Sequence, residues 1–226
     1  MTFKIKSQRQ FNLAEYLLLI SPILPSERND TKMKRLFIAA FMSLIFCFSV
    51  SFISFGKECR DIRSSVLRLH ILANSDSDED QALKLRVRDK ILKESESIFS
   101  DSSDLADAMD SANDNLSYLE KTAKDEIAAQ GYDYDVSVRL EETYFTTRTY
   151  GNITLPAGNY TALRVVIGSG EGHNWWCVMF PQICISPSTN GAKLDDVLNE
   201  DQLAIVEGEG YEYRFKILEY LERLFG

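Results

Sequence analysis

The chain has 226 residues, 45% of them hydrophobic and 26% charged, with a formal charge of −9. That balance excludes an intrinsically disordered chain, and the length suffices for one domain, or two small ones, with a buried core. The charge is uneven: residues 1–56 hold seven basic and three acidic side chains, and residues 57–226 hold 18 basic and 31 acidic, a charge of −13. An acidic body of this kind lacks the clustered Lys and Arg that hold phosphates, which argues against a nucleic-acid partner.

Residues 36–55 form a run of 20 without a charge. As a helix it spans about 30 Å, the hydrocarbon thickness of a bilayer. Lys32, Lys34 and Arg35 precede it, and positive flanks stay cytoplasmic, so the chain after Phe55 is expected outside the cell membrane. Ser54 and Gly56 supply small residues at −3 and −1 for cleavage after Gly56, whereas the apolar run exceeds that of a usual signal peptide. Residues 33–56 therefore read as a signal peptide or a membrane anchor. Cys59 does not sit in a lipobox. Met33 followed by Lys34-Arg35 makes a normal signal start, so residues 1–32 are expected to be an extension outside the working protein.

The exported body, residues 57–226, begins with alternation: Leu67, Leu69 and Ile71 against Arg68 and His70, a half-buried strand. A polar turn over 73–80 follows, then a helix over 80–99 capped by Ser77 or Asp78, with Lys84, Arg86, Arg88, Lys90 and Lys93 as a basic exterior. Apolar residues at steps of three and four predict a second helix over 104–130, opened by Ser102 or Ser103 and stopped by Gly131. The period then changes to two at Val136, Val138 and Leu140. Strands are expected over 144–150, 160–167 and 175–180, with a turn at 156–159. A short helix over 194–206 and a last helix over 213–225 complete an α+β domain with a largely antiparallel sheet.

Only His70 and His173 can serve a histidine-dependent site. Cys177 and Cys184 are six apart beyond the apolar segment, a disulfide candidate in an oxidising compartment; two free buried thiols are the alternative. No second Cys or His pair completes a zinc site. Residues 74–80 resemble the start of a calcium loop, but Glu79 and Leu85 occupy the places of its Gly and Glu, so a solvated helix cap is the better account. Gly168, Gly170 and Gly172 lack the later Lys-Ser/Thr of a phosphate loop. The plain reading is a hairpin loop between two strands; the sharper one is a recognition loop, because Trp175 and Trp176 follow it and Trp is enriched at interface hot spots. His173 and Cys177 on one strand would be about 13 Å apart, too far for a thiolate pair unless the chain bends.

Taken together, the stretch 69–77 with Asn74-Ser75-Asp76, then Tyr150-Gly151-Asn152, Pro156-Ala157-Gly158 and Asn174-Trp175-Trp176-Cys177 with Cys184 closely resemble the stage II sporulation protein R family, over about residues 33–190. The resemblance implies a protein exported from the forespore into the space between the two membranes. There it would activate a membrane-embedded aspartic protease that processes the precursor of sigma-E. It implies no enzyme activity, cofactor, metal or small-molecule substrate. Asn74, Ser75, Asp76, Gly151, Asn152, Asn174, Trp175 and Trp176 become the expected partner contacts, with Gly168, Gly170 and Gly172 of the loop beside them. The competing expectation is a secreted cell-wall or cysteine-type hydrolase using Cys177 and His173.

Overall fold

A computed structural model describes residues 27–183, 193–208 and 210–225. Most of the expected extension, residues 1–26, and Cys184 lie outside them. The chain divides into two compact units, Met1–Ile53 and Ser54–Gly226.

In the first unit the described chain is helical, part of α1 (Glu27–Arg63). An 18-residue window of this helix has a mean hydropathy of 2.5 and no buried residue. Leu36, Phe37, Phe41, Phe46 and Phe48 are all more than half exposed, as a helix meant for lipid requires. The polar serines are compatible with that, since Ser49 Oγ donates back to the Ile45 carbonyl at 2.8 Å. An N-terminal helix of this length and hydropathy is compatible with a signal or an anchor and is consistent with export.

The second unit is built on a mixed four-stranded sheet. Its strands are β1 (Leu67–Leu72), β2 (Val136–Phe145), β5 (Gly158–Ile167) and β6 (Asn174–Phe180), in the order β2-β5-β1-β6. β1 runs parallel to β5 and antiparallel to β6, and β2 runs antiparallel to β5, so two of the three pairings are antiparallel. β3 (Arg148–Tyr150) and β4 (Ile153–Leu155) form a separate hairpin. The fold is α+β.

One face of the sheet is covered by α2 (Asp78–Ile98), α3 (Leu105–Asp114) and α4 (Leu116–Ala129). Leu69 and Ile71 of β1, Leu163 and Val165 of β5 and Val138 of β2 meet Leu83, Val87, Ile91, Leu119 and Ala123 there. α2 starts on Ser77, whose side chain accepts from the Asp80 N–H. The stripe expected as one helix over 104–130 is two. Asp104, not Ser102 or Ser103, caps the first, and Asn115 leaves helical geometry (φ −106°, ψ 7°) before α4 begins. The apolar spacing survives this break, which is why periodicity alone did not reveal it.

β1 is not half-buried, because a second layer covers the face that Arg68 and His70 share. That layer holds residues 55–63 of α1, α5 (Leu194–Val197), α6 (Glu200–Glu207), α7 (Glu212–Phe225) and the β3–β4 hairpin, around Phe55, Cys59, Ile62, Phe145, Tyr160 and Phe215. The helix expected over 194–206 is likewise divided, since Asn199 caps α6 through a reciprocal pair with Gln202. Arg68 is fully buried in this layer. Its guanidinium lies over the rings of Phe145 at 4.2 Å and Tyr160 at 4.9 Å, donates to the Cys177 carbonyl at 3.1 Å and donates to the Tyr150 hydroxyl. Aromatic faces and neutral acceptors here stand in for a carboxylate. The bond to Tyr150 fixes the β3–β4 hairpin against the sheet.

Candidate functional site

The turn after β1 and the glycine-rich loop before β6 are a single structure. β5 and β6 are not neighbours in the sheet: β1 lies between them. The loop over 168–173 is therefore not a hairpin turn but a crossing over the end of β1, and it meets the turn that leaves β1. The Gly172 N–H donates to the Ala73 carbonyl at 2.9 Å, the Glu171 N–H to the Asn74 carbonyl at 3.3 Å, and the Ser169 N–H to Asn74 Oδ1 at 3.0 Å. Ser169 Oγ donates to the Asn74 carbonyl at 2.7 Å. The His173 N–H and imidazole both bond Asp76 Oδ1.

Two glycines make this approach possible. A β-carbon on Gly172 would lie 2.6 Å from the Ser75 carbonyl carbon and 2.9 Å from the Ala73 β-carbon, with no room for either. Gly168 combines positive φ (+57°) with the same crowding, 2.8 Å from Asn74 Cγ. Asn74, Ser75, Gly168 and Gly172 thus serve first to clasp two loops.

Beneath the clasp sits Asp80, buried at the start of α2. It accepts from Asn74 Nδ2 at 2.8 Å and Ser75 Oγ at 2.6 Å. Burial raises its pKa, but the hydrogen bonds from Ser75, Asn74 and Tyr134 outweigh that and hold it below the ordinary carboxylate value. Lys84, expected on the basic exterior of α2, is turned inward instead. Its ammonium donates to the His173 carbonyl at 2.8 Å and to Gln81 Oε1 at 2.6 Å, tying the loop to the helix. Burial lowers its pKa, partly offset by the charge of Asp76.

β6 leaves the clasp at one edge of the sheet and carries Asn174, Trp175 and Trp176. Strand alternation sends the two indoles to opposite faces. Trp175 packs against the helix-side core under the Arg88 guanidinium, 4.2 Å from its ring. Trp176 packs on the second layer, edge-on to His70 at 5.9 Å and Phe145 at 5.5 Å, under Arg148 at 4.3 Å. Each ring is half-buried. Asn174 Oδ1 bonds His70 Nε2 at 3.0 Å. Burial lowers the His70 pKa, the Asn174 bond opposes this, and nearby Arg164 adds to the lowering.

Between β6 and the β3–β4 hairpin lies a pocket of about 380 Å³ lined by Arg148, Thr149, Tyr150, His173, Asn174, Trp175 and Trp176. Gly151 and Asn152 form the exposed turn of that hairpin. The sequence-predicted positions therefore gather at one end of the sheet: the clasp holds Asn74, Ser75, Asp76, Gly168 and Gly172, the pocket wall holds Asn174, Trp175 and Trp176, and the hairpin tip lies next to Tyr150. Gly170 lies in the same crossing loop with φ +66°. Arg88, Arg148, Lys84 and Ser169 escaped sequence reasoning. They come from separate elements, and nothing in their local spacing announces the stacking or the clasp.

Cys177 is buried in the helix-side core, whereas the His173 side chain is exposed and engaged with Asp76. Asp76 has its pKa lowered by the hydrogen bond from the His173 ring and by that from its backbone. Among the described residues the His173 imidazole is thus engaged by a surface carboxylate, while the Cys177 side chain lies in the core. Among the described residues, no group of three or more His, Cys, Asp or Glu side chains is placed to hold a metal ion.

The sequence profile described as stage II sporulation protein R matches residues 63–190. The chain belongs to this family. It is 33% identical over 186 residues to the stage II sporulation protein R of Bacillus subtilis (strain 168), covering 73% of this chain and 83% of that one. No solved structure matches. The family match begins at Arg63 and takes in the sheet, the clasp, both tryptophans and the hairpin. Membership makes this a sporulation protein, and the family's name is not that of an enzyme class.

Proposed function

We propose that the Ser54–Gly226 unit is an extracytoplasmic messenger between forespore and mother cell. It docks on the membrane-embedded aspartic protease that processes the sigma-E precursor and shifts it to its active state. The protein works in the space between the two membranes, reached through the apolar helix. It is not itself an enzyme. In that oxidising space Cys177 pairs with Cys184 and closes the chain after β6.

One observation carries the reading: the edge strand β6 carries two tryptophans, each half-buried beneath an arginine, beside a pocket whose walls come from two of the family-motif segments, around Tyr150 and around Asn174–Trp176. Arginine and tryptophan at a structured edge are the side chains that dominate binding energy at protein interfaces. The clasp holds them in one geometry, so little ordering is needed on binding. Activation requires only that the patch bind the active protease more tightly than the inactive one, and each tenfold shift takes about 1.4 kcal/mol. No comparable observation favours a hydrolase, given the buried Cys177 and the exposed His173.

The test is precursor processing in sporulating cells that carry single variants at wild-type protein level. Trp176→Ala and Trp175→Ala are expected to reduce processing at least tenfold, and His173→Ala to leave most of it. A hydrolase would show the reverse order, with His173→Ala and Cys177→Ala both inactive.

A further inference from the structure

Residues 54–56, where the sequence leaves cleavage or retention open, lie inside the folded unit, which begins at Ser54. Phe55 is only 4% exposed. Its ring stacks on Tyr211 at 6.1 Å and tilts against Phe215 at 5.5 Å, and the Arg214 guanidinium lies 5.7 Å from its centre. Gly56 is buried as well, and Cys59 and Ile62, one and two turns on, are fully buried in the same layer. Gln202 of α6 donates to Glu58 at 3.2 Å. Residues 55–63 are thus a structural element of the second layer, with α6 and α7 packed around them.

The candidate cleavage site lies within this element. Leader peptidases act on an extended segment that follows a short apolar stretch of about 7–15 residues. Here the apolar run is 20 residues. The helix continues from Glu27 to Arg63 with no proline inside it, and Gly56 does not end it. Cutting after Gly56 would remove Phe55 from the core and open the first turn of a packed helix.

We infer that the N-terminal helix is not cut away: the mature protein keeps its apolar segment and is membrane-anchored. The surface formed by the clasp and β6 then works from a tethered position, which confines it to the membrane that carries it. The inference concerns this chain's own processing and stands whichever protein receives the signal.

The test uses the full chain with a C-terminal epitope, recovered from sporulating cells and measured by intact mass. The expected product retains residues 36–56 and stays in the membrane fraction after alkaline carbonate washing. A mature chain that starts at residue 57, or anywhere after residue 36, overturns the inference. A second measurement follows thermal unfolding of the detergent-solubilised full chain. Phe55→Ala is expected to lower the midpoint clearly, and Phe46→Ala, at a lipid-exposed position, to leave it unchanged. Equal midpoints for the two variants would remove the structural basis of the inference.

Discussion

Substituting Gly172 by alanine probes the clasp with a single methyl group. Its φ lies outside the left-handed region, so alanine meets no backbone strain there and the effect is purely one of space. The new β-carbon would stand 2.6 Å from the Ser75 carbonyl carbon, where carbon atoms pack at about 3.5 Å or more, so the crossing loop has to retreat by about 1 Å. That retreat breaks the 2.9 Å bond from Gly172 to Ala73 and the already long 3.3 Å bond from Glu171 to Asn74. Two backbone bonds contribute about 1 kcal/mol each. The stiffer unfolded chain returns about 0.4–1 kcal/mol. The net loss is about 1–2 kcal/mol, or a fall of about 5 °C in unfolding midpoint for a domain of this size. Near-ultraviolet circular dichroism of the detergent-solubilised protein on heating measures it. The same variant should speed hydrogen exchange at residues 171–173. An unchanged midpoint with unchanged exchange would refute the clasp as a close-packed device.

Acidification should act at two points. Asp80 has a folded pKa below its unfolded value, so its contribution is present above about pH 4 and is lost as pH falls through the lower folded value; Asp80→Asn should flatten that acid limb of a stability–pH curve. His70 also has its pKa lowered, so the neutral ring is favoured in the fold, and stability should decline as pH drops below about 6.5. His70→Phe should abolish that milder slope in the same titration. Arg148→Gln uncovers Trp176 and should red-shift the tryptophan emission while lowering stability by about 0.5–1 kcal/mol. If Cys177 and Cys184 are paired, Cys184→Ser should cost about 2–3 kcal/mol in denaturant unfolding and add one free thiol at Cys177 to an alkylation mass measurement.

The α+β class was legible because period-two and period-3.6 segments alternate clearly in this chain. The strands β1 and β2, the cap at Ser77 and the apolar stripe now shared by α3 and α4 all appear in the structure, although β1 is buried on both faces. Two helix breaks were not legible, because Asn115 and Asn199 interrupt the backbone without disturbing the apolar spacing. Strand order was not legible either. The glycine-rich loop looked like a hairpin because β5 and β6 are consecutive in sequence, yet β1 pairs with both and separates them. That insertion also explains the glycines, which local spacing alone could not. The burial of Arg68 and Lys84 escaped for a related reason: alternation marks a polar face but does not tell whether another layer covers it. The candidate site positions came from family resemblance, and the structure adds the contacts that bring those separated motifs to one end of the sheet.

The claim on which the functional account turns is that this end of the sheet touches the processing protease. A photoreactive phenylalanine analogue placed at residue 176 in the full chain, irradiated during sporulation, tests it directly. The same analogue at residue 118, an exposed tyrosine on α4, serves as the control. The account predicts a covalent product with the membrane-embedded protease from position 176 and none from 118. A product from 118 alone, or from neither position while sigma-E processing proceeds normally, would contradict it.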